Sequence, residues 1–381
     1  MRQLMPDPNK KEPLEPLSDQ QSGKPGEKGS RPERDDRPQG KPPVKAPRSI
    51  IPIIMGLALF LALAPRPLCA QLEIGVSLGT SYSDNVFQLS EYDLNRWDHS
   101  HPNLDYANTT DDLALDARFD LAWPIRYQWW KFIPSVTAKI SQNLSNPDKQ
   151  RQDALFRLRV ERYYWNFTAL YGYYPENYVR SYIDTDGSQR LEKFSYARNL
   201  YRGDLNLKPF KNTTLQLHGR YEQYYYNEFW TEFDANATTL GLGARYAFPA
   251  FSLSANYRYR IFDNHRHDAE DGSYESNRYS GNIRLKSTPL NDDKPSGPSF
   301  YPELTLSYEE RFFQSLDPWY GGRADFIYNT SAALNFEIEP RWNLKLDYSH
   351  AYRNVESPVE EVRRAREYSE NEVSATVKYS F

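Results

Sequence analysis

The chain is poor in sulfur, with one cysteine and three methionines in 381 residues, and it holds only one long apolar run, at 50–64. A lone cysteine excludes an internal disulfide scaffold. The apolar run is shorter than the roughly 20 residues a helix needs to cross hydrocarbon, which excludes a bundle of transmembrane helices. The G-x-S-x-G, H-E-x-x-H and phosphate-loop signatures are also missing, so none of the common motif-bearing chemistries applies. Hydrophobic residues make up 39%, below the about 45–50% of ordinary globular domains, and mean hydropathy is -0.82. Aromatic residues are abundant at 15%, with 30 Tyr, which excludes disorder over most of the length.

The first 70 residues differ from the rest. Residues 1–48 are rich in Pro, Lys, Asp, Glu, Gln and Gly and carry no aromatic side chain, so a disordered polar leader is expected. Residues 49–70 have the build of a secretory signal peptide: Lys45 and Arg48 stand ahead of the apolar run, and a small-residue end predicts cleavage after Ala70. Cys69 is not read as a lipid acceptor, because Leu68 stands where a small residue is required. A polar leader of this length ahead of a signal peptide points to a translation start at Val44; a cytoplasmic tail on an uncleaved anchor is the alternative. Residues 71–381 contain no cysteine and an excess of eight acidic over basic residues, so neither disulfide chemistry nor a nucleic-acid partner is expected.

From residue 71 onward the pattern has period two. Leu72, Ile74, Val76, Leu78, Thr80 and Tyr82 alternate with Glu73, Gly75, Ser77, Gly79 and Ser81. A helix would repeat at 3.6, so this is a strand. Fourteen such segments are expected, near 72–82, 112–123, 130–141, 153–163, 166–174, 194–208, 213–226, 237–248, 251–262, 276–287, 302–312, 324–338, 342–352 and 368–381. The connections alternate in length. Those at 124–129, 164–165, 209–212, 249–250 and 339–341 are short, and those at 83–109, 142–152, 175–193, 263–275, 314–323 and 354–367 are long. The link at 227–236 is intermediate, and 288–301 is long where a tight turn is expected.

A soluble sandwich also alternates, so three further features decide. Charges continue through mid-strand, as at Arg157 and Arg159 between Phe156, Leu158 and Val160. Aromatic residues gather at strand ends. Trp123, Trp129, Trp130, Trp165, Phe210, Phe248 and Trp342 lie beside short turns, and Tyr82, Tyr171, Tyr225, Tyr259 and Tyr348 lie toward long loops, as two membrane interfaces require. The chain ends on Val373, Ala375, Val377, Tyr379 and Phe381 in alternation. The fold class expected is therefore all-β, a transmembrane antiparallel up-and-down barrel of about 14 strands (12–16) spanning 71–381, with short turns at one end and long loops at the other.

That C-terminal pattern resembles the signal of bacterial outer-membrane barrels. The resemblance implies that Val377, Tyr379 and Phe381 are read by the barrel-insertion machinery. The stretch Tyr82-Ser-Asp-Asn-Val-Phe87 resembles the opening of porin-like barrels, relatives of which serve surface-polysaccharide and lipoprotein export. The implied location is the bacterial outer membrane, reached after export, with outer-membrane lipid as a partner.

Basic residues on the polar faces concentrate in the middle strands: Arg157, Arg159, Arg198, Arg202, Arg220, Arg245, Arg258, Arg260, Arg284 and Lys286. Acidic ones gather in the first and later strands: Asp116, Asp120, Glu303, Glu309, Asp325, Glu337 and Asp347. In a closed barrel the last strands adjoin the first, so these sets form opposite arcs. Such a bore predicts a transverse field that guides small polar solutes and favours anions. The alternative is a salt-bridge lattice that fills the lumen, since Glu161, Asp204 and Glu222 lie within the basic arc.

Passive passage of small hydrophilic solutes is the function expected. A barrel component of surface-polysaccharide or surface-protein export or assembly is second, and a non-conducting structural or surface-recognition barrel is third. An enzyme is not expected, although Asp84, Asp98, His99, His265 and Asp268 can be grouped on paper, and no cofactor is expected. His99, His101, His265 and His267 stand near carboxylates in two long loops. They are read as solvated loop residues without the support a metal site needs.

Overall fold

The computed structural model describes residues 72–184, 187–265, 271–290, 297–317 and 319–381. The expected leader, the signal peptide and its cleavage point after Ala70 lie outside the described residues. Fourteen long strands follow in order: β1 (Glu73–Ser83), β2 (Asp112–Ala122), β3 (Trp130–Asn143), β4 (Arg151–Glu161), β5 (Trp165–Ile183), β6 (Leu191–Phe210) and β7 (Thr213–Tyr226). Then come β8 (Ala235–Ala247), β9 (Phe251–Asn264), β10 (Tyr274–Leu285), β11 (Ser299–Phe313), β12 (Ala324–Glu339), β13 (Trp342–Glu356) and β14 (Tyr368–Ser380). Two short strands, Ile125–Tyr127 and Thr288–Pro289, lengthen hairpins at the short-turn end.

Each strand pairs antiparallel with the next, and β1 closes on β14 with Gly75 opposite Ser380 and Ser83 opposite Glu372. The result is a closed fourteen-stranded barrel. Closure has a physical cause, because unpaired backbone groups in hydrocarbon cost several kcal/mol each and only a sheet without edges pairs them all.

The register fixes which face each residue takes. Asp120 lies opposite Thr137, Arg118 opposite Lys139, and Arg157 opposite Ser135, so polar residues share the bore. Leu78, Leu240 and Leu242 point the other way and are 60–63% exposed in mid-strand, whereas Glu222 and Asp325 are fully buried inside the ring. This inside-out distribution requires an apolar solvent around the barrel. Outward tyrosines form cross-strand rows: Tyr257, Tyr279, Tyr308, Tyr328 and Tyr352 follow one another around the wall with centroids 4.9–6.5 Å apart.

Two sequence expectations need correction. The segment 166–174 is not a short strand followed by a long loop over 175–193. β5 and β6 are 19 and 20 residues long, against 11 for β1, and their hairpin rises past the rim. Register shifts at Tyr174/Asn177 and Tyr178/Arg180 break the alternation, and Pro175, with no N–H to donate, sits at the first of them. The long loops, moreover, are structured. Residues 84–111 contain α1 (Glu91–Asp98), capped by Ser90 Oγ, which accepts from the Asp93 N–H at 3.1 Å. Residues 357–367 contain α2 (Glu360–Arg366), with acids in its first turn and arginines in its last, as the helix dipole favours.

Candidate functional site

The bore has three levels. At the short-turn end a cavity of about 940 Å³ reaches the strand ends at Glu73, Ala122, Lys208 and Ser380. Eight basic side chains line it (Arg118, Arg157, Arg159, Arg202, Lys208, Arg245, Arg258 and Lys378), against three acidic ones, Glu73, Asp120 and Asp204. Two of these acids, Asp120 and Asp204, are engaged at close range. Arg118 meets Asp120 at 2.8 Å, Arg202 Nε meets Asp204 at 2.7 Å, and His218 Nδ1 lies 2.7 Å from the other Asp204 oxygen. Arg245 donates to Ser252 Oγ at 3.0 Å, and Arg284 stacks 3.9 Å over the Tyr301 ring. The wall therefore keeps a surplus of positive charge in contact with solvent.

Toward the long-loop end the charges become buried and paired. Glu222 is held by Arg198 at 3.3 Å, Arg220 at 2.5 Å and Arg260 at 2.9 Å, and the Tyr224 hydroxyl donates to it at 3.1 Å. Asp325 receives both Arg323 nitrogens, at 2.8 and 3.0 Å, and Arg353. Arg311 Nε reaches Glu309 at 2.7 Å. Three guanidinium groups on Glu222, two on Asp325 and one on Glu309 offset the desolvation that burial imposes.

Above this belt the loops form a cap. Phe87, Leu89, Leu104 and Ala107 of the first loop bury themselves against Tyr178 of the projecting hairpin. Arg180 of that hairpin grips the loop: its Nε donates to the Phe87 carbonyl at 2.9 Å, another nitrogen donates to the Gln88 carbonyl, and a third lies 3.7 Å from Asp93. α1 packs on α2, and Arg366 of α2 lies beside the Tyr182 hydroxyl. β5 and the β13–β14 loop stand on opposite sides of the ring, so these contacts cross the mouth. Burial pushes the Tyr106 hydroxyl well above its ordinary range. Lys149 donates to the Val179 carbonyl at 2.8 Å and lies 4.5 Å from the Phe87 ring centre. Burial pushes its ammonium down to about 7, with Arg180 and Arg151 adding to the shift and Glu370 opposing it. Beneath the cap is a second cavity of about 450 Å³, where Asp112, Asp116, Glu370 and Glu372 face Lys139, Lys149 and Arg151.

The register places Arg157, Arg159, Arg198, Arg202, Arg220, Arg245, Arg258, Arg260 and Arg284 on the inner face, together with Asp116, Asp120, Glu303, Glu309, Asp325, Glu337 and Asp347. Lys286 follows the last residue of β10 at the short-turn end, where its N–H donates to the Ala250 carbonyl, and it is exposed. The arcs are also mixed: Arg311 and Arg353 sit among the acids, as does Lys345, 3.0 Å from Asp347. Their inward parity is readable in the sequence, but their pairing depends on register. Val377 and Tyr379 share the outward face, and Phe381 stacks edge-on to Tyr379 at 4.7 Å.

The candidate histidines among the described residues have separate partners. His101 lies 2.9 Å from Arg96, His99 contacts the Asn95 carbonyl, His265 contacts Asn236, and His267 lies outside the described residues. Among the described residues no three His, Cys, Asp or Glu side chains gather as a metal site.

No protein-family model matches the chain, and no curated protein sequence does. Solved structures similar to it include an anion-selective porin from Comamonas acidovorans, with a TM-score of 0.40 and 10% identity over 81% of this chain and 98% of that one. A bacterial polysaccharide outer membrane secretin gives 0.43 and 7% over 81% and 98%. The CymD monoaromatic hydrocarbon channel gives 0.41 and 10% over 85% and 93%. Closure, an apolar outer wall and a charged bore make this fold a membrane-spanning antiparallel β-barrel.

Proposed function

We propose that the chain is an outer-membrane channel that passes small hydrophilic solutes and prefers anions. The observation that carries this reading is the short-turn cavity, where eight basic side chains face three acidic ones. A low-dielectric wall focuses such a surplus and raises the local concentration of anions. The chain does no chemistry on the solute in this reading. The barrel meets lipid through its leucines and tyrosines, and Val377, Tyr379 and Phe381 present the apolar face of β14 to the insertion machinery.

Purified barrel in planar bilayers under a potassium chloride gradient tests the reading. A reversal potential of the sign set by chloride is expected; cation preference, or silence in a variant whose first loop has been shortened, overturns it.

The cap supports a second reading, a barrel that is shut at rest and whose loops recognise something outside the cell. Arg180 and the buried set around Phe87 hold the first loop across the mouth. Silence in the intact barrel together with conductance after loop shortening is expected of a channel shut at rest.

A further inference from the structure

The two rims of the outer wall differ in charge. At the long-loop end, outward tyrosines donate to carboxylates: Tyr82 to Asp111 at 3.1 Å, Tyr259 to Glu275 at 2.6 Å and Tyr308 to Glu310 at 2.9 Å. At the short-turn end, the successive turns at 124–129, 162–164, 209–212 and 248–250 contain no acidic residue. They expose Trp129, Tyr163, Tyr164 and Phe210 together with Arg126, Arg162 and Lys211.

Arg162 turns to the outer face. Its guanidinium lies 4.8 Å over the Trp130 ring, and Trp130 meets Trp165 edge-on at 5.6 Å. Its backbone N–H donates to the Trp165 carbonyl at 2.8 Å, which closes the turn between β4 and β5. Among the described residues no carboxylate is in ion-pair contact with Arg162. The adjacent Glu161 is taken by Arg159 at 2.6 Å and Lys131 at 3.9 Å.

Trp165 is also the foot of an apolar groove of about 460 Å³ in the outer wall, shared with Val160, Phe167, Leu205 and Leu207. The register sets these side by side: Trp165 lies opposite Leu207, and Phe167 opposite both Val160 and Leu205. A second apolar groove of about 930 Å³ takes up the next outward positions of the same strands, Leu158, Ala169 and Gly203, and reaches Tyr171 and Tyr201. Gly203 stands opposite both Ala169 and Gly219, and a Cβ at Gly219 would meet nothing within 4 Å. From Trp165 to Tyr171 a strand rises about 20 Å, and a tilt of about 40° leaves about 15 Å along the membrane normal, the depth of one leaflet. A guanidinium with no acid partner, at the foot of an apolar groove one leaflet deep, matches a phosphate head joined to an acyl tail.

We propose that this groove binds an anionic glycerophospholipid, with the phosphate on Arg162 and one acyl chain along Trp165, Phe167 and Gly203. The site depends on an outer wall that faces hydrocarbon and is independent of conduction.

Native mass spectrometry of the full barrel, released from nanodiscs of equal phosphatidylglycerol and phosphatidylcholine, tests the proposal. Wild type is expected to retain phosphatidylglycerol over phosphatidylcholine. Arg162→Gln should lower phosphatidylglycerol retention by about tenfold, the scale of one charged hydrogen bond, and Arg162→Lys should keep part of it. Gly203→Leu, which fills the groove and leaves the cation, should weaken retention of both lipids. Arg341→Gln, at an exposed arginine in the turn between β12 and β13, should change nothing. Heat-dependent gel mobility checks that each variant is folded. Equal retention of the two lipids by wild type, an unchanged preference in Arg162→Gln, or an equal loss in Arg341→Gln overturns the site. Lipid-free barrel dimers assign the groove to a second copy and overturn it as well.

Discussion

The two halves of the bore use the same residue types to opposite ends. In the short-turn half, Arg118, Arg159 and Arg202 pair with a carboxylate two residues away on their own strand and stay 42–46% exposed. In the long-loop half, Arg198, Arg260, Arg323 and Arg353 are 3–20% exposed and converge on carboxylates with no exposure at all. Exposed pairs of the first kind are worth about 0–1 kcal/mol and leave their charge free to act on a solute. Buried hubs of the second kind hold strands together and hold up the cap. One wall therefore combines a wet, net-positive vestibule with a buried, ion-paired belt, and the cap lies above that belt.

The largest expected difference between the halves is in stability. Glu222→Ala leaves three buried guanidinium groups uncompensated and should lower the unfolding free energy by about 3–5 kcal/mol, read by urea titration in detergent. Asp204→Ala in the wet half should lower it by about 1 kcal/mol, since its partners remain solvated. Equal losses would erase the distinction. Next in size, Arg180→Ala frees the first loop from the hairpin and should raise single-channel conductance several-fold, while Arg159→Ala should leave the frequency of closure unchanged. Charge reversal by Arg157→Glu with Arg159→Glu should then move the reversal potential toward cation preference without loss of stability.

The smallest effect concerns pH and the cap alone. Lys149 is held near 7 when packed under Phe87, but returns to about 10.4 when the cap opens and water reaches it. Between those values the open state binds more protons than the closed one, so raising pH from 7 to 10 favours closure and lowering it toward 7 relaxes the cap. Arg180, Arg151 and Glu370 are the charges that face it. Proteolysis of the first loop across this window should slow as pH rises, and Lys149→Met should flatten the dependence.

Much of this was readable from residue order because a strand exposed to two solvents writes them in alternation. Leu240 and Leu242 against Thr239 and Gly241 need no alignment to interpret. The hairpin over β5 and β6 was hidden because two register shifts cancel the alternation between Tyr174 and Arg180. The cap was hidden for another reason: Phe87, Leu89, Leu104 and Tyr178 meet through tertiary contacts between segments far apart in sequence, with no period to reveal them. Inward parity tells which charges share the inner face, but not that Glu222 and Asp325 each gather arginines from neighbouring strands. That depends on the tilt of the register around the ring.

The most direct test labels β12 one residue at a time. After replacement of the native cysteine, spin labels at Asn329, Thr330, Ser331, Ala332 and Leu334 are read in liposomes for contact with oxygen, which enriches in hydrocarbon, and with a nickel chelate, which stays in water. Labels at 330, 332 and 334 should favour oxygen and those at 329 and 331 the chelate, following the inner and outer faces set by pairing with β11 and β13. Loss of that alternation, or its reversal, would contradict a barrel with lipid outside and water within.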